Sequence, residues 1–323
     1  MGKILVMGGA GYIGSHTLKH LRDSGYDAFA ADNLSCGHKE AVLDAELVIA
    51  DLMDKNSLNK LFDTHEIDAV IHFAAFSLVG ESVTNPNKYY HNNVIGTLNL
   101  LDVMMEHNVN KIVFSSTCAT YGDPIYVPLD EKHQQKPINP YGQTKLVIEN
   151  IFQDYQRAYG LKYIALRYFN AAGADESALI GESHNPESHL IPIVLQAIQG
   201  KRDNIKVFGN DYDTPDGTCL RDYIHVNDLA NAHRLAVEKL DEYQGFINLG
   251  TGIPTSVMEI IKAAEKVSGK SCPTVIAERR EGDPATLYAD NKKAKEILGW
   301  DPKYLNIEDI IQTAWNWETN RKF

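Results

Sequence analysis

"KILVMGGAGYIGSH" (Lys3–His16) carries a short apolar run into a set of glycines and then into a helical pattern. Continuous apolar runs of this length suit a strand buried on both faces of a parallel sheet, and a glycine turn that follows one opens the next helix. Gly8, Gly11 and Gly14 stand in a GxxGxxG spacing. One glycine makes the tight turn, another lets backbone N–H groups approach a pyrophosphate, and the third lets helix and strand pack closely. The anion then rests on the helix N-terminus. Asp32, 18 residues beyond Gly14, closes the second strand, where a carboxylate either caps a turn or helix or accepts hydrogen bonds from ribose hydroxyls and repels a 2′-phosphate. The pair favours NAD over NADP. Two roles stay open for Asp51 at the end of the third strand: contact with the adenine amino group, or a cap for the helix near Lys55.

Outward from this stretch the alternation continues. The periodicity predicts a helix over Tyr12–Ser24 ended by Gly25, then strands at "DAFAAD", "ELVIAD" and "DAVIHFAA". A long helix is expected over Asn87–His107, followed by the strand "KIVFSS", a helix from Tyr141 and the strand "KYIALRYFN". Beyond about Asn170 the pattern loosens: "AAGADESALIGESHNPESHLIP" is small, polar and loop-like, with later helices at Ser256–Ser268 and Ile307–Glu318. The fold class expected is α/β, a Rossmann-type doubly wound parallel sheet with a smaller mixed α/β C-terminal domain. Residues 1–172, with a returning contribution from about 222–248, are assigned to dinucleotide binding, and 173–323 to the smaller substrate domain.

Composition narrows the partners. At 323 residues, with 44% hydrophobic residues and a net charge of −12, the chain reads as a globular protein whose surface repels a phosphate backbone. Nucleic acid is therefore excluded, while a small anion held by local Arg groups is not. Cys36, Cys118, Cys219 and Cys272 show no CxxC and no Cys/His zinc spacing, so free thiols in a reducing cytoplasm and no metal are expected. No apolar run approaches the ~18 residues a membrane span needs, and the opening residues do not read as a leader.

"INPYGQTKLVIEN" (Ile138–Asn150) places Tyr141 and Lys145 four residues apart, on one face of a helix capped by Asn139 with Pro140 in its first turn. Val147, Ile148, Ile151, Phe152 and Tyr155 form its apolar stripe, and the pair lies at the edge of that stripe. A structural contact is one reading. In the other, the ammonium lowers the phenol pKa, and the phenol removes a proton from a hydroxyl as hydride leaves the same carbon. Ser115-Ser116-Thr117 end the preceding strand at the carboxyl edge of the sheet, where Thr117 either caps the turn or shares the reacting proton.

With "DNLSCGH", "YYHNNVIGTLNLL", "FSSTCATYGD", "NPYGQTK", "LRYFNAAGA", "FGNDYDTPDGTCLRDYIHV" and "RREGDPA" added, the chain resembles the extended short-chain dehydrogenase/reductases nearly from end to end. Within them it resembles the UDP-hexose 4-epimerases, to which the last two, narrower motifs point. The resemblance implies transient oxidation at C4 of a UDP-sugar by tightly bound NAD, with Tyr141 as base assisted by Thr117, Lys145 on the nicotinamide ribose, and a role in galactose metabolism. It implies cofactor contacts at Tyr12, Ile13, Asp32, Asn33, Asp51, Leu52, Phe73, Ala74, Ala75, Asn92, Ser115 and Tyr168. On the substrate side it implies Asn170, His189, Leu190, Phe208, Arg221, Arg280 and Asp283, with Arg suited to bidentate diphosphate contact. Other roles stay open for His189, as a structural histidine, and for Arg279-Arg280, as an exposed pair balanced by Glu281. Ser77 stands where some members carry a cofactor-binding Lys. Leu287 stands where hexose-restricted members often carry a bulky Tyr, which leaves room for N-acetylated UDP-sugars. A homodimer through Asn87–His107 and Tyr141–Tyr159 is implied as well. A 4,6-dehydratase of the same scaffold typically carries Asp-Glu after the Thr, where this chain has Cys118-Ala119. A non-catalytic dinucleotide sensor would need no Tyr-x-x-x-Lys.

Overall fold

The computed structural model describes residues 2–280 and 282–323. Its first half runs β1 (Lys3–Met7), α1 (Tyr12–Asp23), β2 (Ala28–Asp32), β3 (Leu47–Ile49), α2 (Lys55–Thr64), β4 (Ile67–His72), α3 (Val79–Thr84), α4 (Pro86–Tyr89), α5 (Gly96–Glu106), β5 (Lys111–Thr117), α6 (Pro140–Tyr159) and β6 (Lys162–Tyr168). The second half runs β7 (Asn170–Ala172), α7 (Leu190–Ile198), β8 (Ile205–Phe208), β9 (Leu220–His225), α8 (Val226–Lys239), β10 (Gly245–Leu249), β11 (Pro254–Ser256), α9 (Val257–Ser268), β12 (Thr274–Ala277), β13 (Thr286–Leu287) and α10 (Ile307–Thr319).

Seven strands form one parallel sheet in the order β10-β6-β5-β4-β1-β2-β3. The strands are buried on both faces because each face carries its own apolar layer. On one side Leu18 and Leu21 of α1 and Leu229, Ala232 and Ala236 of α8 pack over Ile4, Val6 and Ile71. On the other, Leu58, Leu61, Leu100, Met104, Ile148 and Phe152 from α2, α5 and α6 cover Leu5, Met7 and Phe114. The strand order reverses between β1 and β4, and ligands bind at the carboxyl edge of such a crossing. The glycine turn lies there.

A further core gathers Val194 and Leu195 of α7, Ile260 and Ile261 of α9 and Ile310 and Ile311 of α10 around Val207 and Tyr223. Strand β9 organises this half: it pairs with β7, β11 and β13. Three expectations change here. The helix expected over Asn87–His107 is divided by a π-helical turn, Tyr90–Ile95, which lets buried Asn93 bind the loop after β4: Asn93 accepts from Phe76 N (2.9 Å) and donates to Phe76 O (3.0 Å). "KYIALRYFN" breaks at Phe169, so that Asn170 leaves the large sheet and pairs with Tyr223. The segment read as loop over residues 171–192 is ordered at both ends, in β7 and in the first turn of α7.

Candidate active site

The glycine turn is built by close approach. Gly8 has φ +83°, and a Cβ there would lie 2.6 Å from Ala74 N; a Cβ on Gly14 would lie 2.2 Å from Gly8 O. These two positions exclude any side chain. Gly11 differs, since the nearest atom to a Cβ there is Gly8 O at 3.4 Å, so its missing side chain leaves open space at the mouth of α1. Gly11 is the N-cap of α1 and offers no side-chain acceptor, which leaves the first-turn N–H groups for an anion. The cradle fits a dinucleotide pyrophosphate.

Asp32 is buried, and its carboxylate accepts from Ala10 N (3.0 Å) and Leu34 N (2.8 Å), bracing the glycine turn. Burial pushes its pKa up, against those hydrogen bonds. Asn33 donates to Asp51 Oδ2 at 3.0 Å, which joins the ends of β2 and β3. The cap of α2 belongs to Asp54, which accepts from Asn56 N, and not to Asp51. Leu52 is buried, and Phe73 and Ala74 both donate their N–H groups to Met7 O beside the turn. Ala75 follows on the same loop, half-buried, and Ser77 is exposed. Asn92 donates to Asn93 Oδ1 (3.0 Å) on the π-helical turn. Ile13 packs on the α1 side of the sheet. The Tyr12 hydroxyl is already committed, donating to Gly173 O at 2.6 Å.

At the end of β5 the second cluster assembles. Asn139 caps α6 through Gly142 N (2.8 Å), and Pro140 occupies its first turn. A Cβ on Gly142 would meet Ala119 O at 2.4 Å, so this glycine sets how closely α6 approaches the turn after Thr117. Thr117 is buried; its hydroxyl accepts from Ala119 N at 3.2 Å, capping the turn after β5, and it also draws the Tyr141 phenol pKa down. Lys145 is buried; its Nζ donates to Ser115 O at 2.7 Å and stands 4.6 Å from the centre of the Phe114 ring and 6.0 Å from that of Tyr141. The Ser115 and Tyr168 hydroxyls share a short hydrogen bond. Burial pushes the Tyr168 phenol up to about 12.

The expected lowering of the Tyr141 pKa is not what the chain alone produces. Burial dominates and pushes the phenol up, with Tyr168 adding to it. Burial also pulls the Lys145 pKa down, to about 7, against the attraction of Glu149. An oxidised nicotinamide would supply the positive charge that the chain does not. Cys118, next to Thr117, is held as a thiol at about 12 by burial, which argues against a cysteine nucleophile.

Beneath Lys145 lies a network that pattern reading missed. Glu149 is fully buried and takes a bidentate pair from Arg167 (2.9 and 2.7 Å) and a hydrogen bond from Ser116 (2.6 Å). Arg167 also donates to Tyr121, which donates to Asn248 Oδ1 at 2.6 Å on β10. The available signals were a Glu four residues after Lys145 inside an apolar stripe and an Arg inside an apolar strand.

The substrate-side residues divide. Arg221 donates to Asp283 Oδ1 (2.9 Å) and Pro284 O (2.9 Å), and it pairs in register with Leu287. The Arg221 guanidinium also draws the Cys118 thiol pKa down, against the larger effect of burial. Arg280 covers the ring of Phe208 at 3.8 Å. Arg279 binds Asp211; Glu281, the expected balance for this pair, lies outside the described residues. His189 caps α7 just before Leu190, and its imidazole is paired with Glu182. Asn170 lies on β7 beside β9.

Residues 4–250 match the model of the NAD dependent epimerase/dehydratase family. A UDP-glucose 4-epimerase of Halalkalibacterium halodurans is 56% identical over 316 residues, 97% of this chain and 95% of that protein. The structure of a UDP-glucose 4-epimerase from Brucella ovis in complex with NAD superposes with a TM-score of 0.95 at 50% identity, covering 98% of both chains. A UDP-Glc/GlcNAc 4-epimerase from Campylobacter jejuni gives a TM-score of 0.88 at 42% identity, covering 99% of this chain and 100% of that one.

Proposed function

The chain belongs to the NAD dependent epimerase/dehydratase family, and from that premise we propose that it interconverts UDP-galactose and UDP-glucose as a UDP-glucose 4-epimerase. The observation that carries the chemistry is the convergence of Thr117, Tyr141 and Lys145 at the carboxyl end of β5. NAD, when bound, accepts the hydride from C4 of the sugar and returns it. The N-terminus of α1 holds the pyrophosphate, and Asp32 and Lys145 take the two riboses.

Tyr141 Oη removes the proton of the 4-hydroxyl and later gives it back, while the Thr117 hydroxyl hydrogen-bonds the same oxygen. Lys145, fixed by Ser115 O and backed by Glu149, holds its place under the tyrosine. Arg221 and Arg280 would receive the diphosphate, Asp283 the ribose and Phe208 the uracil. On this reading residues 1–172 with 222–248 form the cofactor half and 173–323 the substrate half. Leu287, smaller than a tyrosine, leaves room at C2, so N-acetylated UDP-hexosamines are also accepted. The enzyme acts in the cytoplasm, in galactose metabolism.

A product assay with UDP-galactose tests this. The parent should form UDP-glucose, and Tyr141→Phe should lose ~100- to 10,000-fold in kcat, the span of general acid–base assistance. A 4-keto-6-deoxy product, or equal rates in parent and variant, would overturn it. Turnover of UDP-galactose with none of UDP-N-acetylglucosamine removes the wider substrate range alone.

A further inference from the structure

"ESHNPESH" (Glu182–His189) joins the cofactor-side elements to α7, and four of its side chains point at one place. We propose that Glu182, His184, Glu187 and His189 bind a divalent first-row transition ion, Zn2+ or a close relative, as a closed structural site. One ligand atom from each of the four lies within 4.8 Å of all the others. His184 Nδ1 stands 3.1 Å from Glu182 Oε1 and 3.8 Å from Glu187 Oε1, and His189 Nδ1 stands 4.0 Å from Glu187 Oε1. His189 Nδ1 also meets Glu182 Oε1. A tetrahedron of ligands at ~2.0–2.1 Å from zinc has edges of about 3.3 Å, so the widest pairs close by at most about 1.5 Å while the two imidazole contacts to Glu182 open.

Hydrogen bonding accounts for part of this arrangement, since Glu187 Oε1 accepts from Ser188 N (2.8 Å) and His189 N (2.9 Å). Both imidazole Nδ1 atoms crowd the same Glu182 oxygen, whereas Glu187 Oε2 is buried without any partner among the described residues. The two carboxylates are 5% and 3% exposed, and burying two anions side by side requires compensation. A dication cancels both charges at one point. Two imidazoles in the set favour zinc and its neighbours over magnesium or calcium, which prefer oxygen ligands alone. The absence of Cys/His spacing led to no metal being expected, but this donor set contains no cysteine.

The backbone of the segment is anchored on several sides. Trp317 Nε1 donates to Glu182 O at 2.8 Å, and Arg202 donates to Glu187 O at 3.3 Å. The His184 ring packs edge-on 6.2 Å from that of Tyr12 at the start of α1. With four protein ligands no position is left for a substrate, so the ion ties the α1 side to the first turn of α7 and takes no chemical step.

The test uses the whole protein, and its readout is metal binding, independent of epimerase activity. Co2+ titrated into metal-stripped parent should give the intense visible absorption of a tetrahedral site at a single equivalent, and Zn2+ should displace it. His184→Ala and Glu187→Gln should each weaken Zn2+ binding by at least ~100-fold. Zn2+ should raise the unfolding temperature of the parent but not of these variants. The parent spectrum decides the matter even if a variant fails to fold: only the weak absorption of hexa-aqua-like cobalt would overturn the proposal. Undiminished Zn2+ affinity in a folded His184→Ala would overturn it too.

Discussion

Lys145 shows how one buried charge sets a pH response. Its ordinary pKa of 10.5 falls to about 7 in the fold, because burial outweighs the pull of Glu149. Below about 7 the lysine is charged in both folded and unfolded chains, and the fold bears the full cost of burying it. As pH rises from 7 towards 10.5 the folded lysine releases its proton before the unfolded one does. The unfolded state then binds more protons, and stability from this group rises with pH. Lys145→Met removes that dependence. Urea unfolding of parent and variant should therefore show the parent gaining roughly 2 kcal/mol on the variant between pH 7 and pH 9. A constant difference would show that the ammonium is solvated.

Among the elements, α6 matters through its first turn. Asn139 and Pro140 start it, Gly142 lets it approach Ala119 O, and Tyr141 thereby faces Thr117. Gly142→Ala should push this turn away and lower kcat by about 100-fold, the scale of a 1 Å misplacement, with NAD affinity measured by fluorescence little changed. The start of this helix was legible in the sequence because caps, prolines and i,i+4 pairs are local signals. So was the parallel sheet, whose strands β1, β4 and β5 carry the apolar runs ILVM, AVI and IVF. What was not legible depends on distant partners. The π-helical turn exists because Asn93 reaches Phe76 across a loop, and the protonated state of Tyr141 follows from burial that only packing creates. The burial of Glu149 likewise depends on Arg167, which the next strand brings over it.

For the molecule as a whole, the α3–α6 side of the sheet carries exposed apolar residues. Tyr90 and Ile95 on the π-helical turn are each 39% exposed, and Tyr159 at the end of α6 is 64% exposed. Apolar groups on two adjoining helices suit a two-fold interface, in which the same patch meets itself. We expect a homodimer in sedimentation velocity, and Ile95→Glu should shift it towards monomer by placing like charges across the axis. A monomeric parent would remove this assignment. Within the chain, Arg221 and Leu287 are neighbours on adjoining strands, β9 and β13. If Leu287 borders the sugar and Arg221 the diphosphate, as proposed, then resizing residue 287 to admit a different sugar would also shift the handhold on the nucleotide.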